Sequence, residues 1–192
     1  MNDALLLRAA IERFTPFPDV EWAFFHEHLH AQEFKKEEYL CTEGEVEHYI
    51  YFIRSGLARA YFLKEGREYT LDFFFAHDFA TAFTSFLEQR PAAIYLQALE
   101  NTLTWKIHHD DLHKLYHSSA AAERIGRVIA EQQFMRRSRK ELAWLSLTAR
   151  ERYLRLLASH QDMVSRISVK HLSSYLGIHP ESLSRIRRQV TR

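Results

Sequence analysis

"SSYLGIHPESLSRIRRQV", residues 173–190, sets a glycine and a proline between two apolar patterns. Leu172, Tyr175 and Leu176 make the apolar face of a short helix. Gly177 supplies the positive φ that a tight turn requires. Ile178 plugs between the two helices, and Pro180 suits a first helical position because it has no N–H to leave unpaired. Leu183, Ile186 and Val190 form the inward stripe of the second helix, which turns Glu181, Ser182, Arg185 and Arg188 outward. The pattern predicts a helix-turn-helix whose second helix can enter a DNA major groove. A plain helical hairpin with a solvated cationic face is the competing reading.

The outward residues have the chemistry for base readout. Arg185 can donate two hydrogen bonds to guanine O6 and N7, and Glu181, one turn earlier, can accept from cytosine N4. Ser182, Ser184, Arg187 and Arg188 suit phosphates, which add affinity without sequence information. His179 stands at the helix cap as a further phosphate contact. Charge along the chain points the same way. Residues 1–122 carry 11 Lys/Arg against 19 Asp/Glu, a balance of −8, and residues 123–192 carry 15 against 6, a balance of +9. An acidic front and a basic back fit a regulatory module joined to a polyanion-binding module.

Working back from that stretch, Thr148–Glu151, "TARE", has capping-box spacing and starts a helix. Before it, Ile125, Val128, Gln132, Met135, Arg139 and Leu142 recur at steps of three and four, a stripe on a long helix that offers a self-pairing seam. From Lys35 the texture is dense in Tyr, Phe, Ile and Thr, with Gly44, Gly56 and Gly66 about ten residues apart. That spacing predicts a compact antiparallel barrel or sandwich, extended by residues 92–107 with Glu100-Asn101 as a hairpin turn. Ahead of it, Ala4, Leu7, Ile11 and Phe14 fall at helical spacing, "TPFPD" breaks the chain, and Asp19 can cap a second helix running to about His30. The expected fold is α+β: N-terminal helices and an antiparallel β-roll over residues 1–109, a long dimerisation helix and hinge over 110–142, and a DNA-binding domain over 143–192.

The opening residues lack the form of a signal peptide, because Asp3, Arg8 and Arg13 interrupt the apolar run. The longest aromatic run, Phe73-Phe74-Phe75, is far too short to span a bilayer. Cys41 is the only cysteine, which rules out an intrachain disulfide and any all-cysteine metal site. A cytoplasmic protein without membrane contact is expected.

"ERYLRLLASH" and "ISVKHLSSYLGIHPESLSRIRR" resemble the C-terminal domain of the Crp/Fnr transcription regulators. "YLCTEGEVEHYIYFIRSGLARAYF" and the strands after it are similar to that family's cyclic-nucleotide-binding-type β-roll. The resemblance covers about residues 20–190 in the family's order. It implies a homodimer on two-fold-symmetric double-stranded DNA, with Glu181 and Arg185 in the base-contacting slots and RNA polymerase as a further candidate partner. The sequence ends two residues past Val190, which resembles the shorter members that lack a C-terminal wing.

Members that bind cyclic AMP carry a glycine–glutamate pair and then a proline–arginine–small-residue segment. Here those slots read Thr81-Ala82, followed by Phe83, and then Arg90-Pro91-Ala92 with the order inverted. Burying a phosphate charge without a paired cation is costly, so tight cyclic AMP binding is not expected. The effector is unknown, and no cofactor is required. Phe83, Phe86 and Tyr95 serve either a small-ligand cavity or simply the core. The runner-up function is a ligand sensor or scaffold acting through protein contacts.

Two histidine groups raise metal readings. "HEHLH", residues 26–30, matches the zinc-protease pattern H-E-x-x-H, but Glu33 and Lys36 fill the places for the next glycine and histidine. Too little chain precedes it for a substrate-binding sheet, so an enzyme is not expected. His109, His113 and His117 lie at four-residue steps and read as surface histidines of an amphipathic helix. No haem-specific spacing is present, and no metal site is expected.

Overall fold

Helix α1 (Asp3–Glu12) buries Leu7 and Ile11, as the spacing predicts. The computed structural model describes residues 3–13 and 16–190; Phe14, Thr15 and Arg192 lie outside the described residues. Helix α2 (Asp19–Glu27) starts after Pro18 with no side-chain cap. Asp19 is therefore not the cap expected of it. Its carboxylate accepts from Arg8 at 2.6 Å and ties α1 to α2.

Among the described residues, eight strands form two four-stranded antiparallel sheets. They are β1 (His30–Phe34), β2 (Tyr39–Cys41), β3 (Tyr49–Ser55), β4 (Ala58–Lys64), β5 (Arg67–Phe74), β6 (Phe79–Ala80), β7 (Tyr95–Ala98) and β8 (Thr102–His108). A short helix, α3 (Phe83–Glu88), lies between β6 and β7. The orders are β1-β8-β3-β6 and β2-β7-β4-β5. Glu65 and Gly66, at φ 53° and 74°, turn β4 into β5; positive φ at both central residues is the hairpin turn that matches strand twist. Phe34, Tyr51, Ile53, Phe74 and Leu96 fill the space between the sheets, where small residues on β4, β6 and β7 make room for them.

Glu100-Asn101 does not close a hairpin. β7 pairs with β2 and β4, whereas β8 pairs with β1 and β3, so this turn carries the chain from one sheet to the other. Thr102, fully buried just after it, donates to the Glu100 carbonyl at 2.8 Å and holds the crossing. α2 ends at Glu27 because His30 is already in β1, opposite Lys106. His26 and His30 thus share no helical face, and the geometry of a zinc helix is lost.

The C-terminal half is helical: α4 (His109–Ser118), α5 (Ala120–Ser146), α6 (Ala149–Val164), α7 (Val169–Leu176) and α8 (Pro180–Val190). Ser119 is extended, and its hydroxyl accepts from the Ala122 N–H at 3.3 Å, so residues 110–142 are not one helix. The long helix begins at 120 and runs to 146, past the expected boundary at 142. Thr148 and Glu151 form the reciprocal capping box at the start of α6: the Thr148 N–H donates to Glu151 at 2.8 Å and the Glu151 N–H to Thr148 at 3.3 Å. α6 is interrupted at His160, whose ring stacks on Phe75 at 4.2 Å.

The residues of the expected self-pairing stripe are divided between core and surface. Ile125 is buried in its own chain's core with Leu112 and Leu115, and Ile129 packs beside it. Val128, Gln132 and Met135 are half-buried rather than open. The large apolar residues that α5 leaves exposed, among the described residues, are Phe134, Leu142, Leu145 and, less so, Trp144, at 72%, 65%, 82% and 40%. The head of the stripe is thus taken by the chain's own core at Ile125, while Leu142 at its end stays uncovered. Among the described residues no helix is long and apolar enough to cross a membrane.

Candidate nucleic-acid interface and effector domain

The turn between α7 and α8 is built as the sequence suggests. Gly177 sits at φ 66°. Its N–H donates to the Ser174 carbonyl at 3.2 Å, and the Ile178 N–H donates to the Ser173 carbonyl at 3.0 Å. A Cβ at Gly177 would lie 2.5 Å from the Trp144 ring, so the end of α5 adds a second demand for glycine. The Ser168 hydroxyl caps α7 by accepting from the His171 N–H at 3.2 Å. Pro180 is the first residue of α8, and the N–H groups of Ser182 and Leu183 donate to the His179 carbonyl.

Leu172, Leu176 and Leu183 are fully buried, with Ile186 and Val190 partly so. That packing fixes the outer face of α8. Glu181, Arg185 and Arg188 are exposed at positions i, i+4 and i+7, one stripe of the helix. His179 and Ser184 are also exposed, while Ser182 and Arg187 are half-buried. The Ser184 hydroxyl donates to the Pro180 carbonyl at 3.1 Å, and Arg188 Nε leans on the Ser184 carbonyl at 3.4 Å. The stripe therefore offers a guanidinium fork and a carboxylate one turn apart, flanked by further cations.

The segment in the cyclic-nucleotide slots is closed onto the strand opposite. Thr81 donates to the Tyr49 carbonyl at 2.9 Å, the Glu47 N–H donates to Ser85 at 2.9 Å, and the Ala92 N–H donates to the Glu45 carbonyl at 2.8 Å. Thr81, Ala82, Phe86 and Ala92 are buried, whereas Arg90 and Pro91 are exposed. Phe86 belongs to the core under α1 and α2, Phe83 is half-buried, and Tyr95 stacks on Tyr61 at 4.9 Å. Glu47 went unnoticed in the sequence. It is 2% exposed, and its carboxylate accepts from the Tyr49 N–H at 2.9 Å, with the Ala82 N–H close by. Burial pushes its pKa up to about 7, with those N–H groups opposing the rise. The roll thus places its own acid beside the slot, while the nearby arginine faces solvent.

The histidine rings of α4 lie tilted against one another: the centroids of His109 and His113 are 4.2 Å apart, and those of His113 and His117 are 6.5 Å apart. Burial, then the neighbouring His109 and His117, lowers the His113 pKa. Among the described residues no group of three His, Cys, Asp or Glu is arranged to hold a metal ion. Cys41 is buried, and that burial pushes its thiol pKa up to about 12.

A second group missed in the sequence joins the helix-turn-helix to the roll. β5 is the edge of its sheet, and Ser174 of α7 completes it. The Thr70 N–H donates to the Ser174 hydroxyl, which donates to the Glu68 carbonyl, both at 2.9 Å. Beside them Arg59, 2% exposed, pairs with Glu68 at 2.7 Å. It also donates to Gln97 at 2.7 and 3.1 Å and to His171 Nδ1 at 2.8 Å. Lys170 reaches Glu68 at 2.8 Å. Burial alone would raise the Glu68 pKa, but Lys170 and Arg59 outweigh it and hold it below the usual range. From α5, Lys140 and Arg136 pair with Asp72 at 3.2 and 3.7 Å. The only sequence signal for this group is spacing. By spacing alone Glu68 and Asp72 would fall on one face of a regular strand, which the register shift between Thr70 and Asp72 interrupts, and Arg136 and Lys140 share one helix face.

Residues 31–119 match the cyclic nucleotide-binding domain family. No curated protein sequence matches the chain. Similar solved structures include FixK2 from Bradyrhizobium japonicum (TM-score 0.74, 21% identity, 85% of this chain and 84% of that one). The regulator CLP from Xanthomonas campestris, described as c-di-GMP responsive, follows (TM-score 0.69, 19% identity, 91% and 92%). A third is a protein from Eubacterium rectale assigned to the Crp/Fnr family of transcriptional regulators (TM-score 0.67, 18% identity, 91% and 84%). Residues 31–119 are thus similar to a cyclic nucleotide-binding domain, and the chain shares the fold of these solved structures.

Proposed function

We propose that this chain, a cyclic nucleotide-binding domain on the Crp/Fnr fold, is a sequence-specific DNA-binding transcription regulator and not an enzyme. One observation carries the reading: α8 presents Glu181, Arg185 and Arg188 as a single exposed stripe, on a helix-turn-helix within a segment of net charge +9. Arg185 and Glu181 read base edges, and His179, Ser182, Ser184, Arg187 and Arg188 hold phosphates. The uncovered residues Phe134, Leu142 and Leu145 of α5 support self-pairing. A dimer sets two recognition helices about 34 Å apart, one turn of a two-fold-symmetric site. Selection from a random duplex pool at low salt tests this directly. A palindromic consensus with salt-dependent affinity is expected. Indifference to every duplex would overturn the reading.

The effector domain does not hold cyclic AMP tightly. Glu47 contributes a buried acid next to Ala82, and Arg90, the nearby cation, is exposed. A phosphate buried there would stand beside Glu47, with no buried arginine in the slot to pair with it. Calorimetry at neutral pH is expected to give no dissociation constant at or below the micromolar range. A tighter value would refute it.

A further inference from the structure

The segment that fills the cyclic-nucleotide slot hangs on one buried acid. Glu47 lies between β2 and β3, and its main chain holds residues 81–92 twice. Its N–H donates to the Ser85 hydroxyl at 2.9 Å, and its carbonyl accepts from the Gln89 amide at 3.3 Å. Ser85 in turn donates to the Arg90 carbonyl. The side chain fastens the start of β3. One carboxylate oxygen accepts from the Tyr49 N–H at 2.9 Å, and the Tyr49 carbonyl receives the Thr81 hydroxyl at the same distance. The Ala92 N–H donates to the Glu45 carbonyl and the Gly44 N–H to the Ala92 carbonyl, both at 2.8 Å, which seals the end of the segment.

The other carboxylate oxygen, Oε2, is buried with no conventional hydrogen-bond partner among the described residues. The groups around it do little to support a negative charge. From β2 comes the Cys41 thiol, a weak donor. From β3 comes Tyr51, whose hydroxyl is already given to the Leu40 carbonyl at 3.0 Å. From β8 comes Lys106, but its ammonium lies over the Tyr49 ring at 4.0 Å and makes no ion pair with Glu47 among the described residues. His108 also stands edge-on to that ring, and the His48 ring bonds to Gln89 at 2.9 Å. In the loop, Glu45 adds like charge beside Cys41. The segment itself brings no cation, because Arg90 is exposed. A half-satisfied carboxyl in such a place is held readily as the neutral acid and poorly as the anion.

We propose that Glu47 is a proton-operated latch on the roll: as the neutral acid it keeps residues 81–92 shut on β3, and as the carboxylate it lets that segment open. With the segment open, the side chain meets water and takes the ordinary value of 4.5; with it shut, burial raises the value to about 7. The shut state therefore binds the proton more tightly. Closure is fully supported below pH 4.5, weakens as pH rises, and levels off once pH passes about 7. Access to the slot is then under proton control near neutrality. Its regulatory meaning rests on the proposal that the roll is the effector domain of a transcription regulator.

Amide hydrogen exchange on the full chain, taken relative to the free-peptide rate at each pH, reads the latch. Protection of the Ala92 and Glu47 amides is expected to fall by roughly tenfold or more from pH 5 to pH 8. Glu47→Gln cannot ionise, so its protection should stay level over that range. His171→Gln, at the other titrating contact, should leave the fall in place. An equal fall in Glu47→Gln, a fall abolished by His171→Gln, or wild-type protection that holds or rises with pH would each overturn the latch. Should Glu47→Gln fail to fold, the carboxyl-carbon shift of Glu47 in the wild-type chain decides: a midpoint near 7 supports the latch, and one near 4.5 overturns it. These measurements contain neither effector nor DNA. A chain that bound no duplex would sink the regulator reading and leave the latch standing.

Discussion

Arg59→Ala is expected to destabilise the fold by about 3–5 kcal/mol, the usual cost of breaking a buried ion pair by removing one partner. Arg59 is buried, and its guanidinium serves four neighbours at once: Glu68, Gln97, His171 and the face of Tyr61, 4.0 Å away. Its loss leaves the Gln97 oxygen and the inner side of Glu68 without their donor, in a place water reaches poorly. Urea unfolding followed by circular dichroism measures the cost, and Arg59→Lys should recover only part of it because an ammonium cannot reach all these groups. A loss below about 1 kcal/mol would show that the contact is incidental.

The same contact has a pH signature. His171 accepts a hydrogen bond from Arg59 through Nδ1, with Glu68 3.9 Å away and Lys170 adjacent in the chain. Burial first, and then the Arg59 charge, lowers its pKa from 6.5 to about 4. A depressed folded-state value means the contribution is fully present above pH 6.5 and is lost as pH falls towards 4. The domain contact should weaken across that window, and His171→Gln should flatten the response. An unchanged pH profile in that variant would rule His171 out as the titrating group.

Arg185→Ala should weaken binding to the selected duplex by about 1–3 kcal/mol, roughly 5- to 150-fold, and relax the preference at one base pair per half-site. Scrambled duplex should be affected far less. Arg188→Ala should behave differently: a similar loss on every sequence, with the salt slope reduced by about one. Fluorescence anisotropy over a salt series separates the two. Identical losses on cognate and scrambled DNA for both variants would reverse their roles.

Local chemistry made the helix-turn-helix legible in one dimension. A glycine that must take positive φ, a proline without an N–H and apolar residues at helical steps act within a few residues of one another, so residues 168–190 alone specify both helices and the outer stripe. The capping box at Thr148–Glu151 was readable for the same reason, as were the strand-rich texture of the roll and its glycine turns. The Glu100-Asn101 turn was misjudged because a hairpin and a crossing between sheets use the same turn residues. Only the pairing of β7 and β8 with different partners separates them.

Tertiary packing alone decided which face of α5 stays open. Helical spacing does not say where along the stripe from Ile125 to Leu142 the chain's own core ends: Ile125 is buried in it and Leu142 is exposed. Glu47 and the Arg59 contact were equally hidden, because each joins residues far apart in sequence whose separate spacings are unremarkable: Arg59 and His171 are 112 positions apart. Electrostatic and burial effects depend on distance in space, which periodicity along a chain does not encode. The sequence by itself therefore determined the last helix pair and its outward stripe, and only the folded chain decided how that pair is fastened to the roll.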